Sequence, residues 1–113
     1  MPVTNINRIA ADLAAATLTD VTAGGLAANK GGTYIAKFVN RGLYGAHIRL
    51  AVTGSGGVAG GAPVNADYVV FDRVLDSSAE FVAKPIPLAD GMRVYALADV
   101  AGVSVTLIGR VGG

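Results

Sequence analysis

The feature that most constrains this chain is a period-two alternation that returns in several short runs. In Val103-Ser104-Val105-Thr106-Leu107, the valines and leucine fall on one face with Val111, and Ser104, Thr106 and Arg110 fall on the other. Ile108 is an apolar exception on the polar face. Successive side chains leave a pleated backbone on opposite sides, so this pattern specifies a half-buried strand. Thr33 to Asn40 repeats it, with Tyr34, Ala36 and Phe38 opposite Ile35, Lys37 and Val39. Ala46 to Thr53 does so again, with Ile48, Leu50 and Val52 inward and His47 and Arg49 outward. Ala66 to Leu75 and Ala79 to Ala83 read as further strands, and Thr17 to Thr22 as a short one carrying Leu18 and Val21.

Turn signals separate these runs. Asn40-Arg41-Gly42 predicts a hairpin between the strands on either side of it. Asp99 to Gly102 predicts a second hairpin joining Met92–Ala98 to the C-terminal strand. Asp76 is expected to open a turn through its side chain, and Pro85 and Pro87 to end pairing on their segment, since proline cannot donate to a ladder. A loop containing Asn29 and Lys30 is bracketed by Gly24-Gly25 and Gly31-Gly32. The expected fold is all-β: an antiparallel sandwich or jelly-roll-like barrel of about eight strands, with Ile48, Leu50, Val105 and Leu107 in the core.

Residues 1–16 stand apart from this pattern, and residues 17–113 form the expected single domain. Arg8 to Ala16 is alanine-rich, and helix and extended chain are both open to it. Pro2 and Asn5 oppose an early helix, so residues 1–16 are expected to form an extended arm. Ile6, Ile9 and Leu13 would anchor that arm on a neighbouring subunit.

Composition narrows the function. Hydrophobic residues make up 52% of the chain and charged residues 15%, a dry balance that anticipates contact with other chains. The absence of cysteine excludes disulfides, thiolate metal sites and a cysteine nucleophile. Net charge is +1 with the basic residues scattered singly, so no nucleic-acid partner is expected. No run approaches the ~20 apolar residues of a membrane span, and no charged and apolar leader pair opens the chain.

The candidate chemistry is sparse. The only histidine, His47, needs a nucleophile and an orienting carboxylate to act as a base, and no serine motif accompanies it. Asp67, Asp72, Asp76 and Glu80 lie close in sequence but lack the alternate-oxygen pattern and glycine of a calcium loop. The glycine-rich run Gly54 to Pro63 lacks the lysine and following helix of a phosphate loop. Tyr34, Phe38, Tyr68, Phe71 and Tyr95 could form a stacking platform, but with so few aromatics they are expected in the core. No catalytic, cofactor or metal residues are assigned, and an enzyme is not expected.

Four pieces carry a resemblance: AKFVNRG (Ala36–Gly42), HIRLAV (His47–Val52), NADYVVFD (Asn65–Asp72) and LADGMRVYALADVAGVSVTLIGRV (Leu88–Val111). In this order they resemble small virion structural proteins of tailed bacteriophages. Those have a strand ending in Asn-(Arg/Thr)-Gly, an (I/V)RLA(I/V) strand, an ADY(I/V)xxD segment and a terminal VSVxxxG strand. The likeness spans nearly the whole chain. It departs at the unusually glycine-rich Gly54–Pro63 and at Gly112-Gly113, where acidic residues are common.

The resemblance implies a non-enzymatic β-sandwich building block, made in the host cytoplasm and carried on the capsid surface of the virion. A capsid decoration (cement) protein is the function expected from it, a homotrimer binding the major capsid protein. A tail or baseplate component is the alternative in the same class. A receptor- or glycan-binding module is the alternative from another, with Tyr44 the one aromatic expected in a turn.

Overall fold

In a computed structural model, which describes residues 6–27, 30–54 and 61–111, alternation becomes two antiparallel sheets packed face to face. The strands are β1 (Ile6–Leu13), β2 (Thr19–Asp20), β3 (Gly32–Asn40), β4 (Ala46–Thr53), β5 (Tyr68–Leu75), β6 (Glu80–Val82), β7 (Ile86–Leu88), β8 (Arg93–Ala98) and β9 (Val103–Val111). The first sheet runs β1-β9-β3, with β6 and β7 sharing the far edge of β3. The second runs β2-β8-β4-β5. The fold is therefore an open sandwich and not a closed barrel.

The core is where the two inward faces meet. Tyr34, Phe38, Ile48, Leu50, Val94, Val103, Val105 and Leu107 are all fully buried there. The four residues singled out from periodicity are among them. Val52 also faces inward, opposite Val94 on the unshifted β4–β8 ladder, and packs half-buried against the margin of the core.

The two expected hairpins are not hairpins. β3 and β4 lie in different sheets, as do β8 and β9, so each connection crosses the sandwich as an arch. The arches stand side by side: β3 pairs with β9 from Gly32↔Val111 to Asn40↔Val103, and β4 pairs with β8 from Ile48↔Ala98 to Thr53↔Arg93. At one end they are laced together by Arg41 N donating to Gly102 O (2.8 Å) and Asp99 N donating to His47 O (3.2 Å). The physical reason is burial on both limbs. Val94, Ala96 and Ala98 face Val103, Val105 and Leu107 across the core, which a shared sheet could not arrange. Gly102 permits the corner: its φ is +98°, and a Cβ there would meet Gly42 Cα at 2.9 Å.

The segment expected to form an arm also differs. Ile6 to Leu13 is a strand, neither helix nor free arm, and it pairs with β9 of its own chain from Ile6↔Arg110 to Leu13↔Val103. Leu13 is buried, and Ile9 and Ala11 pack against the core. Alternation of Ile9, Ala11 and Leu13 with Arg8, Ala10 and Asp12 serves an edge strand as well as it would serve an arm. Pro85 and Pro87 do not end pairing either. They interrupt it, and the chain rejoins β3 as β7 with Pro87 opposite Thr33. Prolines are tolerated there because β6 and β7 form the sheet edge.

Buried Asn40 pins the corner between the sheets. Its Nδ2 donates to Tyr44 O (2.8 Å) and Leu75 O (3.0 Å), and its Oδ1 accepts from Gly42 N (2.9 Å). Its backbone reaches the β5–β6 arch through Ala79 O (3.0 Å) and Ser78 N (2.9 Å). The Asp76 turn is closed by its main chain, with Ala79 N donating to Asp76 O at 3.0 Å. The expectations for Asn29, for most of Gly54–Pro63 and for the Gly112-Gly113 tail lie outside the described residues.

Candidate interaction surface

The outer face of the second sheet carries two neighbouring ion pairs. β4 points His47 and Arg49 outward, as alternation requires. His47 is fastened to Asp99, the first residue of the β8–β9 arch. Its backbone N donates to Asp99 Oδ1 (2.8 Å), and its Nδ1 lies 3.0 Å from Asp99 Oδ2. An ionised carboxylate only accepts, so Nδ1 carries the proton in this contact. The His47 main-chain N–H, followed by its ring, holds the Asp99 carboxyl below its ordinary value.

Two residues along, Arg49 grips Asp72 with two bonds, Nε to Oδ1 at 2.6 Å and Nη2 to Oδ2 at 3.1 Å. Those hydrogen bonds lower the Asp72 pKa and raise that of Arg49. A bulge makes this possible. β5 slips register twice against β4, and Asp72 sits in the left-handed region at φ +52°, which re-aims its side chain. The Arg49 guanidinium also lies 4.0 Å above the Phe71 ring, and Phe71 meets Tyr68 edge to face at 5.3 Å.

Ala16, His47, Arg49, Asp72, Leu97 and Asp99 line an open hollow of about 430 Å³. No hydroxyl or thiol is among them. Both carboxyls are shifted toward ionisation, the opposite of the raised pKa that a general acid needs. Chemically, the hollow offers fixed ion pairs, with the Arg49 guanidinium covering one face of the partly exposed Phe71 ring.

The carboxylates clustered in sequence are dispersed in space. Asp67 precedes β5 in a short 3-10 turn, where its Oδ2 accepts from Val64 N at 2.8 Å. Glu80 reaches Lys37 at 3.2 Å on the first sheet. Among the described residues, no group of three or more His, Cys, Asp or Glu side chains is placed to hold a metal. The aromatics split: Tyr34 and Phe38 are core, Tyr68 and Tyr95 are half-buried, and Phe71 is 57% exposed, which corrects the expectation that all five are core. Asp99 is the partner that sequence reasoning missed. It stands 52 residues from His47, and only knowledge of the adjacent arches could bring the two together.

Among the described residues, apolar side chains are also exposed elsewhere on the surface. Leu43 and Tyr44, in the β3–β4 arch, are 87% and 75% exposed. On the open side of the sandwich, between β5 and the β6–β7 edge, a groove of about 500 Å³ is lined chiefly by Val69, Val70, Phe81, Pro85, Ile86 and Pro87. Phe81 is partly roofed by the Arg73 guanidinium at 4.6 Å.

Compared with known proteins, the chain matches no family model, no curated protein and no solved structure.

Proposed function

We propose that this protein is a structural subunit of a bacteriophage virion, a decoration protein that binds the outside of the assembled head as a homo-oligomer. The observation that carries the reading is exposed apolar surface on a small, weakly charged sandwich. Val69, Phe71 and Val74 on β5 are each more than half exposed, Val82 on β6 is half exposed, and Leu43 and Tyr44 stand out in the β3–β4 arch. A monomer in water gains nothing from leaving such surface wet, whereas a subunit of a repeated assembly covers it. The sequence resemblance supplies the kind of assembly. The organised polar groups support a passive role, since the ion pairs around His47 fasten strands and arches.

The test is to mix the intact protein with undecorated heads and sediment them. Co-sedimentation that saturates at a fixed number of copies per head is the expected result. Recovery in isolated tails and not in heads would move the protein to the tail or baseplate. A glycan-binding reading draws on the exposed Tyr44 and Phe71, and a glycan array without hits above background removes it.

A further inference from the structure

Of the four sheet edges among the described residues, three are unfit to pair with another chain. β2 is two residues long. β5 is bulged twice, with Asp72 at positive φ. The outer edge of β3 is covered by β6 and β7, which are three residues each and carry Pro87, with Pro85 between them. Short, bulged and proline-bearing edges are how sandwiches avoid sticking together. β1 has none of these devices. It is eight residues long, pairs with β9 without a register shift, contains no proline, and has no neighbour on its other side among the described residues.

We propose that β1 pairs with β1 of a second copy of this chain, antiparallel and across a two-fold axis at Ala10, joining two sheets into one. Two-fold pairing that keeps outer face with outer face must set one residue opposite itself. The outward residues of β1 are Ile6, Arg8, Ala10 and Asp12. Centring on Ala10 places Arg8 opposite Asp12 of the second copy, twice, with the two small alanines between. Centring on Ile9 sets Arg8 against Ala10, and centring on Ala11 sets Arg8 against Ala14, so both leave the charges unmatched.

These charges are at most half engaged within the chain. No described residue pairs with Arg8, while Asp12 gives only Oδ1 to Arg41 (2.9 Å) and is 83% exposed. Arg8, Ala10 and Asp12 already border a shallow hollow of about 270 Å³ with Ser104 and Thr106, where the paired side chains would lie. The contact follows from the edges alone and does not rest on the virion reading.

The absence of cysteine makes the test clean. In the full chain, Ala10→Cys puts two thiols on the axis with Cα atoms about 4.5–5.5 Å apart, inside disulfide range. Ala14→Cys would hold them about 27 Å apart. Mild oxidation should cross-link the first variant and not the second. Sedimentation of the unmodified protein should show reversible dimers, and Arg8→Asp, which faces two pairs of like charges, should weaken them about tenfold. Monomers persisting to about 1 mM, a concentration at which even weak edge contacts associate, would overturn the proposal. So would trimers without dimers, equal cross-linking at positions 10 and 14, or dimers indifferent to Arg8→Asp.

Discussion

Asn40 shows how much of this fold can hang on one side chain. Its amide donates to one carbonyl in the β3–β4 arch and one at the end of β5, and accepts from the turn that follows it, with no exposure to water. Asn40→Ala leaves all three groups without a partner, so unfolding by urea should show a loss of about 2–4 kcal/mol. Asn40→Asp should be as damaging despite its matching shape, because a carboxylate cannot donate to Tyr44 O and Leu75 O. Leu50→Ala should cost about 2–5 kcal/mol, the range for a leucine buried on all sides. Gly109 tests the opposite limit. It lies opposite Tyr34, and a Cβ there would collide with the tyrosine ring. Tyr34 has little room to give, since its hydroxyl donates to Lys30 O (2.6 Å) and accepts from Asn7 Nδ2 (2.9 Å). Gly109→Ala should therefore destabilise by about 1–3 kcal/mol, where the same change in an open strand would not.

Among the elements, β4 is expected to contribute a pH dependence through the partners of its two outward residues. Asp99 and Asp72 have lowered pKa values in the folded state, the first from the His47 main-chain N–H and the second from Arg49. A depressed carboxyl contributes stability above its unfolded value, ordinarily 3.8, and that stability is lost as pH falls through the folded value. Thermal midpoints should thus fall as pH drops below about 4, and Asp72→Asn with Asp99→Asn should flatten that decline. A decline of equal slope in the double variant would show that other carboxyls govern it. The alternation that exposes His47 and Arg49 was legible in the sequence, as were the inward faces of β3 and β9. Which strands pair was not. A hairpin and an arch both need two alternating runs and a short polar turn, and they differ only in whether the inward faces lie side by side or opposed. The His47–Asp99 contact depends on that choice, so it was illegible for the same reason. Phe71 was misjudged differently: the β5 bulges break the period on which assignment to a face relies.

At the scale of the molecule, the decisive question is whether the N-terminal segment belongs to the sandwich. Its sequence suggests a detachable arm, and removal of an arm would leave a folded domain that merely fails to assemble. The structure gives the opposite expectation. β1 supplies eight paired positions along β9, buries Leu13, covers the core margin with Ile9 and Ala11, and tethers Tyr34 through Asn7 and Arg41 through Asp12. Without it, β9 becomes an edge strand whose Val103, Val105 and Leu107 lie in the centre of the core. A nine-residue, strongly apolar edge with no proline or bulge is a template for aggregation. Deleting residues 2–13 should abolish cooperative urea unfolding, increase binding of a hydrophobic dye and bring on aggregation, without any partner being present. Had these residues been an arm, the truncated chain would unfold with an unchanged midpoint and only particle binding would be lost. Monitoring far-ultraviolet dichroism through the unfolding transition separates the two. An intact, sharp transition in the shortened protein would mean that β9 is stable as an edge and that β1 is dispensable to the fold.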